Sequence, residues 1–280
     1  MLAYFRLMLT FAVMLAAAAP GAARAQAKLE AQYTATLAGI PIGKGTWVIN
    51  ITDTRYMAAA SGTTTGLIRA FIGGQGTSVA HGTLQAGRPL VTTYEATIVT
   101  SKKNDEIHLT INNGNVKDSK VDPPIDNDSE RVPITEEHQK GILDPMTAAL
   151  MRSPGSGDML TPEACPRKMS IFDGRLRYDL QISFKRMDKV KADKGYAGPV
   201  VVCAVLFEPI AGHIPSRAAI KYITEQRDME VWLAPIAGTR VLVPFRAQSP
   251  TPVGKAVIEA TQFVSTPIPT RASANGVKPE

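Results

Sequence analysis

Few residues in this chain have the types and spacing of a chemical site. Asp173 and Arg175 flank Gly174, and Arg177 follows two residues on. That charged turn could hold a polar or anionic ligand. Asp-Gly is equally a good turn pair, with Arg175 starting a strand, and the structural reading is preferred. His213 sits in Ala211-Gly212-His213-Ile214-Pro215. Imidazole titrates near neutral pH, so His213 could act as a general base, with Asp173 as its acidic partner. No nucleophile elbow accompanies it. Gly155-Ser156-Gly157-Asp158 echoes the elbow pattern only in a loop. A turn histidine is therefore the preferred reading here too. His81, His108 and His138 lack i, i+4 spacing, so no histidine-built metal site is expected. Gly73-Gly74-Gln75-Gly76 lacks the lysine and hydroxyl residue of a phosphate loop and reads as a turn or bulge. No catalytic residue, metal or cofactor is expected.

The remaining reactive residues are Cys165 and Cys203. Their environment is set by the N-terminus. A short basic start ending at Arg6 precedes an apolar run from Leu7 to Ala19. Pro20-Gly21 breaks that run, and Ala23-Arg24-Ala25 is a small-x-small cleavage site. Residues 1–25 thus read as a secretory signal peptide cut between Ala25 and Gln26. The run is shorter than the roughly twenty residues that span a bilayer. No later stretch is long and apolar enough either, so no transmembrane segment is expected after cleavage. Export places the cysteines in an oxidising compartment, where the pair reads as a disulfide. It closes a loop of about 39 residues, worth roughly 4 kcal/mol by chain entropy.

Removing the leader from 280 residues leaves 255, enough for one large β domain with a real core. Arg6 and Arg24 leave with it, so the net charge falls from +6 to +4. That mild excess does not call for nucleic acid. It is concentrated, however. From Arg167 to Lys194 there are nine Lys/Arg and four Asp. Such a strip could meet an anionic envelope component, or serve as a solvated hairpin face whose lysines discourage edge pairing.

The elements that would position these residues are strands. Tyr33, Ala35 and Leu37 alternate with polar neighbours, and after a break at Gly39–Gly43 so do Trp47, Ile49 and Ile51. Thr- and Gly-rich sequence follows to Gly82, with Phe71 and Val79 as inward positions. Tyr94, Ala96, Ile98 and then Ile107, Leu109, Ile111 alternate, ahead of a hairpin turn at Asn112–Asn115. Leu176, Tyr178, Leu180, Ile182 and Phe184 give the cleanest alternation. Lys185–Lys194 would be an exposed hairpin tip, and Val200–Phe207 a strand buried on both faces. Met229–Leu233, Val241–Phe245 and Ala256–Phe263 complete the set. Between the halves, residues 121–131 read as a loop. Asp144-Pro145 reads as an N-cap and first helical residue, with a short helix from Met146 to Arg152. Residues 26–265 would form a single β-rich domain, with 266–280 a flexible tail. The expected fold is mainly β: an antiparallel sheet curled into a closed or half-open barrel, with a short central helix covering an edge.

Several short motifs are similar to those of an uncharacterised bacterial exported family, domain of unknown function 3108. They are Tyr33 with Ala38–Gly43, Gly62–Leu67, Asp144-Pro145, Phe172–Arg175, Ala211–His213 and Val231–Leu233. The resemblance implies a periplasmic, mostly β protein and no reaction. Within such a barrel Trp47, Tyr33, Phe184 and Trp232 could face a ligand, although aromatic residues of this kind more often form ordinary core. The function expected is a non-catalytic periplasmic protein that binds or carries a lipid-like envelope molecule in a β concavity. The alternatives are an envelope-modifying hydrolase and a structural or protein-docking module.

Overall fold

A computed structural model describes residues 26–66, 73–85, 87–101 and 103–268. The leader, Leu67, Phe71 and residues 269–280 lie outside them. Seven strands come first: β1 (Ala27–Leu37), β2 (Ile40–Ile51), β3 (Arg55–Thr64), β4 (Gly74–Gln85), β5 (Arg88–Thr100), β6 (Asn104–Asn112) and β7 (Asn115–Asp122). A long crossing segment carries helix α1 (Pro145–Ala148) and the short β8 (Met151–Arg152). Then follow β9 (Arg167–Phe172), β10 (Arg177–Lys191), β11 (Lys194–Gly195) and β12 (Ala197–Ala211). Helix α2 (Ala218–Glu225), β13 (Met229–Pro235), β14 (Val241–Thr251) and β15 (Gly254–Pro267) end the described chain. The last strand runs past Ser265 because Thr266 and Pro267 pair with Lys28 and Ala27.

The chain winds outward and then inward. From β1 each strand pairs with the next as far as β7; the chain crosses to β9 and returns through β10, β12, β13 and β14 to β15, which pairs with β1. The hydrogen-bonded path therefore ends at two edges, β7 and β9. The sheet is open rather than closed. The crossing segment fills the seam. Ile142 N–H donates to the Gly114 carbonyl at 2.8 Å, Leu143 N–H to Ser170 at 2.8 Å, and Phe172 N–H to Leu143 at 2.9 Å. The expectation that the helix covers an edge needs refining. Residues 142–143 bridge the seam, while α1 packs against β4, β5 and β9.

Asp144 caps α1 as expected, accepting N–H bonds from Met146 at 2.8 Å and Thr147 at 3.1 Å. The helix stops at Ala148 instead of reaching Arg152. Met151 and Arg152 have a better partner there, pairing with Leu242 and Val241 of β14. The break at Gly39–Gly43 is also shorter than expected. Only Ala38 and Gly39 turn, both at positive φ, and Pro41–Gly43 already belong to β2.

Packing explains most remaining departures. Val200–Cys203 are fully buried, and alternate residues enter two different cores: Val200 and Val202 one, Val201 and Cys203 the other. Residues 204–207 are only half-buried, so burial on both faces stops at Cys203 rather than at Phe207. Cys165 and Cys203 form a disulfide with Cα atoms 5.7 Å apart. Val79 does not point to the core; its neighbour Ala80 does. Lys185–Lys191 are not a loose tip but the second half of β10, whose turn is confined to residues near Asp193. β11, just beyond that turn, pairs with β15.

Candidate functional site

Residues directly opposite one another in neighbouring strands share a face of the sheet. Three such rows cross β2–β5 on the core side. The first is Ile49–Ala58–Ala80–Tyr94. The second is Trp47–Ala60–Ser78–Ala96. The third is Gly45–Gly62–Gly76–Ile98, with Tyr33 of β1 beside Gly45. On β3 and β4 only small residues face inward in these rows, and in the third row three consecutive strands present no side chain at all. The sheet cannot fill the space it encloses there, and an apolar hollow of about 590 Å³ results. Its walls include Ala35, Ile42, Ala60, Tyr94, Ala96, Ile98 and Ile258. Ile98 and Ile258 are large apolar residues left 47% and 44% exposed, and both border this hollow.

A second apolar cavity of about 320 Å³ lies beside α1. Pro145, Ala148, Met151, Tyr178, Leu180, Val231 and Ala247 are among its walls. The opposite face of β2–β5 is polar. Thr46, Ser61, Thr77 and Thr97 are in register and line a cleft of about 750 Å³ with Lys44 and Asp193. Lys44 borders both this cleft and the apolar hollow.

The aromatic residues expected to face a ligand do not border the hollow. Tyr33 is buried, and its hydroxyl donates to the Pro244 carbonyl at 2.7 Å. Trp47 is buried core. Trp232 is buried too, donating from Nε1 to Asp188 at 2.9 Å, with the Arg186 and Arg246 guanidinium groups 5.2 and 4.9 Å from its ring centre. Phe184 is exposed. The hollow is made instead by glycines and alanines, and its sequence signal is their period-two placement in adjoining strands.

The charged turn and the histidine converge on the seam. Asp173 accepts from the Arg175 and Leu176 backbone N–H groups at 2.8 and 2.7 Å. Burial nevertheless raises its carboxyl above the usual range. Arg175 donates to Asp105 of β6 at 2.7 Å and to the Pro123 carbonyl at 2.9 Å, tying the two edges together. Arg177 pairs with Asp179 at 2.6 Å. Gly212 lies so close that a Cβ there would strike the Arg175 carbonyl. His213 accepts a backbone bond from Val132 at 2.9 Å, and burial lowers its imidazole pKa. No hydrogen bond joins His213 to Asp173 among the described residues. Nor do the described residues contain a group of side chains placed to hold a metal ion. These residues fasten the seam between the two edges of the sheet.

Two polar arrangements were not legible beforehand. Asp144 is fully buried, and that burial pushes its carboxyl up to about 6 even though the α1 backbone donates to it. Beside it the Tyr56 and Thr147 hydroxyls bond at 2.5 Å. On the outer surface Glu230 is nearly buried. Burial opposes its charge, but bonds from Arg186 at 2.9 Å and Lys185 at 2.5 Å outweigh it and keep the carboxyl low.

The chain belongs to the protein family of unknown function DUF3108, whose model matches residues 32–261. Its structure is similar to the crystal structure of a beta-barrel-like protein of domain of unknown function DUF1849 from Brucella abortus. That pair superposes with a TM-score of 0.49 at 9% identity, over 87% of this chain and 99% of the other. No curated protein matches the sequence. No helix of the described residues is long and apolar enough to cross a membrane.

Proposed function

We propose that this is a non-catalytic periplasmic protein that holds or carries a lipid-like envelope molecule in the apolar hollow. The observation that carries the reading is the glycine row. Gly45, Gly62 and Gly76 remove side chains from three adjacent strands on the core side. Gly45 is held against the Ser61 carbonyl, where a Cβ would come within 2.9 Å, but Gly62 and Gly76 have room for one, and a sheet that only needed stability would place branched residues there. The apolar walls, with Ile98 and Ile258 left exposed, suit a hydrocarbon rather than a sugar or nucleotide. The leader-like N-terminus and the disulfide support export.

Native mass spectrometry of protein purified from its own periplasm tests this. A lipid-sized adduct is expected on the wild type. Gly62→Leu and Gly76→Leu should abolish it by filling the hollow. A Cβ at Gly62 meets nothing closer than the Lys44 carbonyl at 3.7 Å, and one at Gly76 the Thr97 carbonyl at 3.4 Å, so both positions accept a side chain. A ligand-free wild type that also transfers no lipid between vesicles would sink the proposal.

A further inference from the structure

One end of the sheet is apolar and basic where turns are usually polar and uncharged. The β1–β2 and β14–β15 hairpins turn side by side there. Ala38 N–H donates to the Lys255 carbonyl at 2.9 Å, and a Cβ on Gly254 would lie 2.7 Å from that of Ala38. Ile40 and Val253 stand at these two turns, exposed at 64% and 69%. They are the most exposed large apolar residues among the described residues. The register carries this end across the sheet, since Gly43 pairs with Thr64, Thr63 with Gln75, and Gly74 with Thr100. Ile98, Val99 and Ile258, also exposed, lie toward the same ends of β5 and β15. The opposite end differs. Its β2–β3 and β6–β7 turns, Thr52–Thr54 and Asn113–Gly114, hold no large apolar side chain and one acid, Asp53.

Charge follows the apolar residues. The β1–β2, β3–β4, β5–β6 and β14–β15 connections contain no Asp or Glu. Lys103 closes the β5–β6 turn, Lys255 follows the β14–β15 turn, and Lys44 lies on the outer, polar face of β2; all three are exposed. Asp105 and Glu259, the next acids along β6 and β15, are already paired, Asp105 with Lys103 and Arg175 and Glu259 with Arg246. The hollow reaches this end as well. Thr64, Gly74 and Thr100 border it, and they are terminal residues of β3, β4 and β5.

We infer that this end of the barrel docks on the surface of an anionic phospholipid bilayer, with Ile40 and Val253 entering the headgroup boundary and the lysines meeting lipid phosphates. A stable protein partner needs roughly 800 Å² on each side, more than two protruding side chains supply. A bilayer surface takes isolated apolar anchors and cations together. This rests on the hollow taking a lipid. It adds the route, because a lipid then passes between bilayer and hollow at the end where the hollow meets the turns.

Sedimentation of the full-length mature protein with phosphatidylcholine vesicles, with and without phosphatidylglycerol, provides the test. The protein should pellet with the phosphatidylglycerol vesicles, and less so as salt rises. Ile40→Asp and Val253→Asp should each weaken that partition by about tenfold or more, and Lys255→Gln by about fivefold. Ile268→Asp, at an exposed apolar residue of the opposite end, should leave it unchanged. The new indole of Val253→Trp should be quenched by brominated acyl chains, and that of Ile268→Trp should not. A wild type that carries its native adduct yet binds no vesicle overturns the docking and leaves the hollow a ligand site. Vesicle binding that survives both aspartate variants overturns it too. Vesicle binding lost in those variants, by a protein with no native adduct, keeps the docking and ends the carrier reading. A dimer that Ile40→Asp dissociates, with no vesicle binding, assigns the turns to a second copy and overturns the docking.

Discussion

The outgoing strands, β1–β7, and the returning strands, β9–β15, are built to different standards. In the returning half Val200–Cys203, Leu233, Ala234, Leu242 and Val243 have no solvent exposure, and their alternate side chains enter separate cores. A disulfide ties that half to the segment before β9. In the outgoing half the inward positions of β3 and β4 beyond the Tyr56–Gly82 pair are Ala58, Ala60, Gly62, Gly76, Ser78 and Ala80. Large residues there sit on the flanking strands, as with Trp47 and Ile49 of β2 and Tyr94 of β5. A sheet that curls on itself cannot be both densely packed and roomy at one level. This one keeps its larger hollow in the outward half and only the smaller cavity of about 320 Å³ in the return, with the seam between edges held by the crossing segment.

The sharpest way to break this comparison is to truncate the packed half. Phe245→Ala, at a fully buried ring whose centroid lies 5.5 Å from that of Phe263 in a tilted contact, should cost about 3–5 kcal/mol in denaturant unfolding. A loss below about 1 kcal/mol would mean the return is not the stable half. Cys203→Ser should lower stability by about 2–5 kcal/mol under oxidising conditions and leave the reduced protein nearly unaffected by comparison. Identical thermal midpoints for mutant and oxidised wild type would refute that.

The seam titrates. Asp144 has its carboxyl raised to about 6 by burial, above the ordinary 3.8. A carboxyl raised on folding adds stability when protonated, in full below about pH 4, and loses it as pH climbs through about 6. The change amounts to roughly 3 kcal/mol between pH 4 and 7. Asp144→Asn keeps the capping oxygen and should flatten that slope in urea titrations at several pH values; an unchanged slope assigns it elsewhere. The smallest effect belongs to the roomy half. Gly76→Ala should stabilise by about 0.4–1 kcal/mol, since the chain there is extended and a Cβ would make only ordinary contacts, the nearest 3.4 Å from the Thr97 carbonyl. Gly82→Ala, whose Cβ would enter the Tyr56 ring, should destabilise instead. Equal behaviour of the two glycines in thermal melts would show that the row at Gly76 is packed after all.

Much of the fold was legible because it rests on local rules. Alternation marked most strands of the sheet, Asn113-Gly114 marked the β6–β7 turn at positive φ, and Asp144-Pro145 marked the start of α1. The disulfide followed from counting cysteines in a chain whose N-terminus reads as an export signal. What failed failed for non-local reasons. The end of α1 was decided by β14, which captured Met151 and Arg152. The charged run in β10 stayed extended because β12 pairs with it over its length. Helix α2 went unread. Its Ile220, Tyr222 and Ile223 sit among residues that give a strand and a helix similar support over so short a stretch.

The site was less legible than the fold. Asp173, Arg175 and His213 stood out because their types carry chemistry, but their partners are Asp105, Pro123 and Val132, and those partners make them fasteners. Tyr33, Trp47 and Trp232 were singled out for size, and size put them in the core. By itself the sequence determined what alternation, turn chemistry and cysteine count can determine: a β protein with an oxidised pair and a capped central helix. Only the tertiary structure decided that Gly45, Gly62 and Gly76 stand side by side. An empty space belongs to no residue, and it exists only once the register of several strands is fixed.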